Sequence, residues 1–417
     1  MQQPECKARI EQLKVHLRDR GYTSVTCRSH LRITSRFLEY LYDHARTIEA
    51  ALPADVEAFL RRERRVYRKR HGRAPPSIPQ WRRQRTAPLR LMLHLVQGQW
   101  PPLPAPKLET SRELFHHELL KGYDAWMDEL RGLASATRVL RLERAHELLS
   151  GLCERSKPDI IHDLQVGDID AYLSRRTEGL RRKSIQVLTS DLRVFLRYLY
   201  GRGTTARNLS TSVTSPTLYA YEGIPSALLD EDIKQVLAIT CRDRTPGGLR
   251  DYAILMLLAT YGLRSGEIAA LRLDDLDWKN EVLLVRHSKT GTSSKLPLLP
   301  EPGEVLLNYL EKARPRSPVR EVFLCLNAPY RAIPPGPALY AIVRRRLDAA
   351  GIVRHGKKGP HAFRHARAVS LLRAAVPLKE IGDILGHRSA LSTGVYLKLA
   401  TEDLRGVALE VPVRQSP

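Results

Sequence analysis

Four prolines inside WPPLPAPKLE, residues 100–109, stop any helix that reaches them and make a semi-rigid spacer, so the chain cannot fold as one continuous helical body. On either side of that break the apolar residues recur at helical spacing through most of the first 200 positions, with few alternating strands. A second break, NLSTSVTSPTLYAYEG at 208–223, is rich in Ser and Thr and has no apolar stripe, and reads as a linker. A chain of 417 residues suits two or three domains. The breaks predict helical domains over 1–104 and 105–215 and a third domain over 224–417.

The first two segments parallel each other. SVTCRSHLRITSRFLEYL (24–41) matches SATRVLRLERAHELLSGL (135–152), ADVEAFLRR (54–62) matches GDIDAYLSR (167–175), and PLRLMLHLV (88–96) matches DLRVFLRYL (191–199), in the same order. The offsets of 111, 113 and 103 predict an internal duplication in which the first copy carries extra residues. Those extra residues fall around RRERRVYRKRHGRAPPSIPQWRRQR (61–85), a basic run with Tyr67 and Trp81 interleaved and with Pro75, Pro76 and Pro79 forbidding one continuous helix. So many arginines with so little compensating acid predict phosphate contact, and Arg61, Arg62, Arg64, Arg65, Arg68, Lys69 and Arg70 are the candidate DNA-binding residues.

Charge points the same way. Lys and Arg total 68 against 45 Asp and Glu, a formal net charge of +23, more than solubility requires, which predicts a polyanionic partner. An anionic membrane surface is the rival to nucleic acid, but the N-terminal residues show no signal-like apolar region and no run approaches a membrane span. The expectation is a soluble, intracellular protein. Cys6, Cys27, Cys153, Cys241 and Cys325 are scattered, without zinc spacing or the even count of a disulfide framework, and read as reduced.

The third segment mixes helix and strand. RDYAILMLLATYG (250–262) reads as a core helix, and EVLLVRHSKTGTSSKLPLLP (281–300) as a β-hairpin whose second strand ends at Pro297. Breaking a phosphodiester with side chains alone needs positive charge on the non-bridging oxygens, a proton donor for the leaving oxygen and a nucleophile. Arg264 follows the core helix, and Glu267, three residues on, can orient it. HAFRHARAVSLL (361–372) puts His361 and Arg364 on one helical face, with Ala366, Val369, Leu371 and Leu372 left for the core. A further helix ends at Gly386, His387 follows it, and Tyr396 comes nine residues later.

GLRSGE, SKTG in a hairpin, H-x-x-R, LGH and then that tyrosine resemble, in content, order and spacing, the catalytic domain of the tyrosine recombinase (phage integrase) family over roughly residues 225–405. The resemblance implies a mainly α fold with a small β-hairpin or sheet in the catalytic domain, preceded by helical core-binding-type domains. Most members carry one such domain, so a second copy is a departure. It also implies roles. Arg264 and Arg364 hold the scissile phosphate, His361 assists proton removal from the tyrosine, His387 donates to the phosphate, and Lys289 is the general acid, with Lys295 as fallback if the register differs. Glu267 supports the arginines, and Tyr396 is the nucleophile of a 3′-phosphotyrosyl intermediate. Four protomers, clamped in C shapes around two double-stranded DNA sites, would exchange strands through a Holliday junction, alone or with partner recombinases. The C-terminal stretch from Leu399 is of a length to dock on a neighbour or to pack back on its own protomer, and the resemblance implies a protein of the bacterial cytoplasm, associated with the nucleoid.

Because such a linkage conserves bond energy, no ATP is expected, and neither a G-x-x-x-x-G-K-[ST] loop nor a carboxylate cluster for paired metals is found, so no cofactor or metal is expected. A type IB topoisomerase, and a DNA-binding relative that has lost the reaction, are the alternatives. The duplicated arm and basic insertion favour an integrase or transposase of a mobile element over a minimal resolving enzyme.

Overall fold

The computed structural model describes residues 4–102, 110–218, 228–287, 291–352, 359–386 and 393. It is mainly helical, with one small sheet, as the pattern predicts. Residues 103–222 form one compact unit, and residues 1–102 with 223–417 form the other.

The N-terminal bundle consists of α1 (Pro4–Asp19), α2 (Ser24–Asp43), α3 (Pro53–His71) and α4 (Ile78–Gln97). Its ends are written in the sequence. Thr23 Oγ1 accepts from the Thr26 N–H, the Asp55 carboxylate accepts from the Leu52 N–H at 2.8 Å, and Gly72 closes α3 in the left-handed region. The proline cluster separates α3 from α4, as expected, and Ser77 caps α4. Leu13, Leu17, Phe37, Phe59, Leu89 and Met92 are buried at its centre.

The unit at 103–222 contains α5 (Ser111–Glu129), α6 (Ser135–Gly151), α7 (Val166–Thr177) and α8 (Arg182–Gly201). It repeats the burial of the bundle at the central positions of three aligned segments. Phe37, Leu38 and Leu41 correspond to Leu148, Leu149 and Leu152, Val56 and Phe59 to Ile169 and Tyr172, and Leu89, Met92 and Leu93 to Leu192, Phe195 and Leu196, all buried. Asp168 repeats the cap of Asp55, and each carboxylate also pairs with an arginine, Arg155 and Arg46 respectively.

The expected linker at 208–223 starts later than the composition indicates. Leu209 and Val213 are buried in the second core, and the Val213 carbonyl accepts two bonds from Arg193. Two apolar anchors are enough to hold a Ser/Thr-rich stretch against α8. Residues 219–227 lie outside the described residues.

The C-terminal region holds α9 (Asp230–Thr240), α10 (Pro246–Tyr261), α11 (Ser265–Ala270), an antiparallel sheet β1–β2–β3 (Leu276–Asp277, Val282–His287, Thr292–Pro297), α12 (Pro300–Lys312), α13 (Pro337–Ala349), α14 (Pro360–Arg373) and α15 (Leu378–Leu385). Residues 253–258 of α10 are all buried, which explains their unbroken apolar run. Asp251 is buried on the same helix and is neutralised by Arg250, Arg345 and Arg346, so α13 is held to α10 by a compensated charge. The Tyr261 hydroxyl donates to the Pro297 carbonyl at 2.9 Å and accepts from the Leu299 N–H at 3.0 Å, pinning the end of the hairpin to the end of α10. Among the described residues no helix is long and apolar enough to cross a membrane.

Candidate active site

Gly262 ends α10 with φ +63°, a conformation that costs glycine little, and a Cβ there would lie 3.0 Å from Leu385. The reversal delivers Arg264 to the N-terminus of α11. Glu267 then binds it twice. Oε2 accepts from the Arg264 backbone N–H at 2.7 Å, and Oε1 accepts from Nη1 at 2.7 Å. Arg264 Nη2 donates to the Gly386 carbonyl at 3.0 Å.

Arg364, on α14, is buried. Its Nη1 donates to the Gly262 carbonyl at 2.9 Å and its Nη2 to the Leu385 carbonyl. Both guanidiniums therefore meet the C-terminal end of α15, where helix carbonyls lack intrahelical donors and the helix dipole is negative. Ala366, Val369 and Leu371 are buried as expected, with Leu372 packed beside them. His361 is exposed in the first turn of α14, its ring centroid 6.3 Å from that of His365.

Glu267 is almost fully buried. Burial pushes its carboxyl up, but hydrogen bonds from His287 and Arg264 outweigh that and hold it below the ordinary glutamate value, so it stays ionised beside Arg264. His287 is the residue that sequence reasoning passed over. Its Nδ1 lies 2.8 Å from Glu267 Oε1 and its Nε2 2.9 Å from Ser294 Oγ. The signal was present, because Leu283, Val285 and His287 alternate onto the buried face of β2, and a polar residue at such a position needs partners.

Lys289, His387 and Tyr396 lie outside the described residues, as does the stretch from Leu399. Lys295 is exposed on β3, opposite Leu284, on the face away from His287 and Glu267. The structure thus brings together Arg264, Glu267 and Arg364 and adds His287, while Lys295 stands apart.

Arg61, Arg65, Arg68, Lys69 and Arg70 are exposed on α3, and among the described residues no acid lies within 4 Å of them. Arg62 is more constrained, 5.6 Å above the Tyr40 ring and 3.6 Å from Asp43, and Arg64 is half-buried. Trp81 is not exposed with the arginines that follow it, Arg82 and Arg83. It is a core residue covered by the Arg85 guanidinium at 4.2 Å, because α4 turns it into the bundle. Residues 1–104 carry 21 Lys and Arg against 9 Asp and Glu, whereas 105–215 carry 18 against 15, so the excess charge separates two otherwise parallel bundles.

Residues 227–403 match the Phage integrase family. Tyrosine recombinase XerC of Pelotomaculum thermopropionicum is 31% identical over 59% of this chain and 82% of its own length. The chain belongs to the phage integrase family. The Sinorhizobium fredii protein named "Putative integrase/recombinase y4gC" is 57% identical over 45% of this chain and 97% of that protein, and Tyrosine recombinase XerD of Lacticaseibacillus casei is 27% identical over 70% and 97%. The fold is shared with the XerH site-specific recombinase bound to palindromic difH substrate in a post-cleavage complex, at TM-score 0.55 and 17% identity, covering 73% of this chain and 98% of that one. A lambda integrase tetramer bound to a Holliday junction gives TM-score 0.53 at 18% identity, covering 75% and 85%. As a phage integrase family member, the chain is a tyrosine recombinase, an enzyme of DNA strand cleavage and rejoining.

Proposed function

We propose that Arg264 and Arg364 clamp the scissile phosphate of duplex DNA while the Tyr396 phenol oxygen attacks phosphorus. The O–P bond to tyrosine forms as the bond to the 5′-oxygen breaks. His361 takes the phenol proton, Lys289 protonates the leaving 5′-oxygen, and His387 donates to a non-bridging oxygen. A free tyrosine has a pKa near 10, so about one molecule in a thousand is ionised at neutral pH, and the converging cations favour the phenolate as well as the phosphate. A different 5′-hydroxyl reverses the step, so neither metal nor ATP enters the balance.

The observation that carries this reading is the pair of guanidiniums held at one helix end, Arg264 by Glu267 and Gly386 and Arg364 by Gly262 and Leu385. Rigidly supported arginines suit bidentate phosphate binding. We assign residues 1–104 and 105–215 as two DNA-binding helical domains before a catalytic domain at 224–417, the first supplying most of the phosphate charge through α3. Assembly as a tetramer on paired sites, with or without a partner recombinase, and action in the bacterial cytoplasm on a mobile element complete the proposal. The solved relatives include a lambda integrase tetramer on a Holliday junction, which is the assembly this chain would form.

The test is incubation of the purified protein, in EDTA and without ATP, with DNA carrying its site and a nick beside the scissile phosphate. An SDS-resistant adduct with wild type and none with Tyr396→Phe is expected. Binding without an adduct would favour a DNA-binding relative that has lost the reaction, and relaxation of supercoiled DNA without strand exchange would favour a type IB topoisomerase.

A further inference from the structure

We propose that His287 is a positioning residue for Arg264, an inference that rests on the recombinase reading. His287 closes β2 and is 2% exposed, yet both ring nitrogens have partners on different elements, Glu267 on α11 and Ser294 on β3. Glu267 Oε1 is the oxygen that also receives Arg264 Nη1, so the imidazole and the guanidinium bracket one atom. With His287 neutral, Nδ1–H donates to that carboxylate oxygen and Nε2 accepts the Ser294 hydroxyl proton, and both bonds form without a further charge. Rotation of the carboxylate would break the His287 bond and the Arg264 bond together. The orientation of Arg264 is thereby tied to the seating of the hairpin against α11.

The helix end that receives Arg264 is part of the same contact. A Cβ at Gly386 would fall 2.4 Å from His287 Cε1, so the backbone that offers its carbonyl to Arg264 Nη2 rests on the imidazole. One ring thus supports Arg264 through the carboxylate and borders its carbonyl partner. A residue that only filled the space under the hairpin would do the same work as a phenyl ring; a residue that orients the carboxylate would not.

The experiment compares full-length wild type, His287→Phe, His287→Asn and Ser294→Ala in single-turnover adduct formation on the nicked substrate, with DNA affinity and thermal melting measured on the same preparations. Phenylalanine keeps the ring without its nitrogens, whereas the asparagine amide can donate to Glu267 from near the Nδ1 position. Misplacing a group that contacts the reacting phosphate can cost up to about a hundredfold. The expected result is a rate lowered about tenfold or more in His287→Phe, affinity within about twofold of wild type, and recovery of most of the rate in His287→Asn. Ser294→Ala, on the less buried strand, is expected to fall between them in rate. A wild-type rate in His287→Phe, an Asn variant no faster than Phe, or affinity falling in step with rate would overturn the proposal. Inert wild type that still binds its site would instead sink the underlying recombinase reading.

Discussion

Arg264 and Arg364, a hundred residues apart in the chain, donate to consecutive carbonyl oxygens, those of Gly386 and Leu385. One helix end therefore sets the spacing of the two cations. Replacing either with alanine is expected to lower adduct formation by about 10²–10³-fold, the usual loss when one donor to a developing charge is removed. Arg364→Ala also leaves the Gly262 and Leu385 carbonyls without that donor, which costs about 1–3 kcal/mol of stability. Arg264→Lys is expected to bind DNA and cleave poorly, since a point charge cannot replace the planar fork. Wild-type cleavage in any of these, measured below its melting temperature, would remove the arginine concerned from the site.

Gly386 carries two constraints, a φ of +62° and the His287 ring against its α-carbon. The backbone conformation alone costs an alanine about 1–2 kcal/mol, and the contact adds to it. Gly386→Ala is expected to shift the urea midpoint downward and to slow cleavage more than binding, whereas Gly72→Ala, where nothing lies within 4 Å, is expected to show the backbone cost alone and normal cleavage.

Glu267 gives a pH signature. Its folded pKa lies below the ordinary glutamate value, so its contribution to stability is present above that value and is lost as pH falls through the depressed folded one. Thermal melts of wild type and Glu267→Gln are expected to differ most near neutrality and to converge in acid. A difference that persists unchanged into acid would mean that the carboxylate charge is not what holds Arg264.

The exposed arginines of α3 are expected to act through phosphate. Arg65→Ala, Arg68→Ala and Arg70→Ala should weaken binding to all sequences alike and flatten the plot of log affinity against log salt by about 0.9 for each phosphate no longer neutralised, with the rate of cleavage in the bound complex unchanged. A change confined to one DNA sequence would instead indicate base readout.

Much of the site is legible in the sequence because the chemistry comes as short local motifs. Glu267 is the third residue of the helix that Arg264 caps, and Arg364 follows His361 by three residues within α14, so local spacing suffices. The helices and their ends are legible from apolar spacing, prolines and glycines. What sequence does not supply are relations across elements. That Arg364 reaches Gly262 and Leu385 depends on how α10, α14 and α15 pack, and the pairing of His287 with Glu267 depends on hairpin register. The burial of Trp81 is not legible because a tryptophan among arginines has the same composition on a surface as at the rim of a core, and only the rotation of α4 separates the two. The linker starts later than expected because Leu209 and Val213, spaced four apart in a polar run, make too weak a stripe to read.

The central claim is that Tyr396 becomes covalently bound to DNA. Trypsin cleaving after Arg388 and Lys398 releases SALSTGVYLK, in which Tyr396 is the sole tyrosine. Mass spectrometry of nuclease-trimmed adduct, formed in EDTA without ATP, should find this peptide carrying nucleotide through a phosphate on the tyrosine. Nucleotide on a peptide bearing another tyrosine, or an adduct that forms only when a divalent metal is added, would contradict the claim.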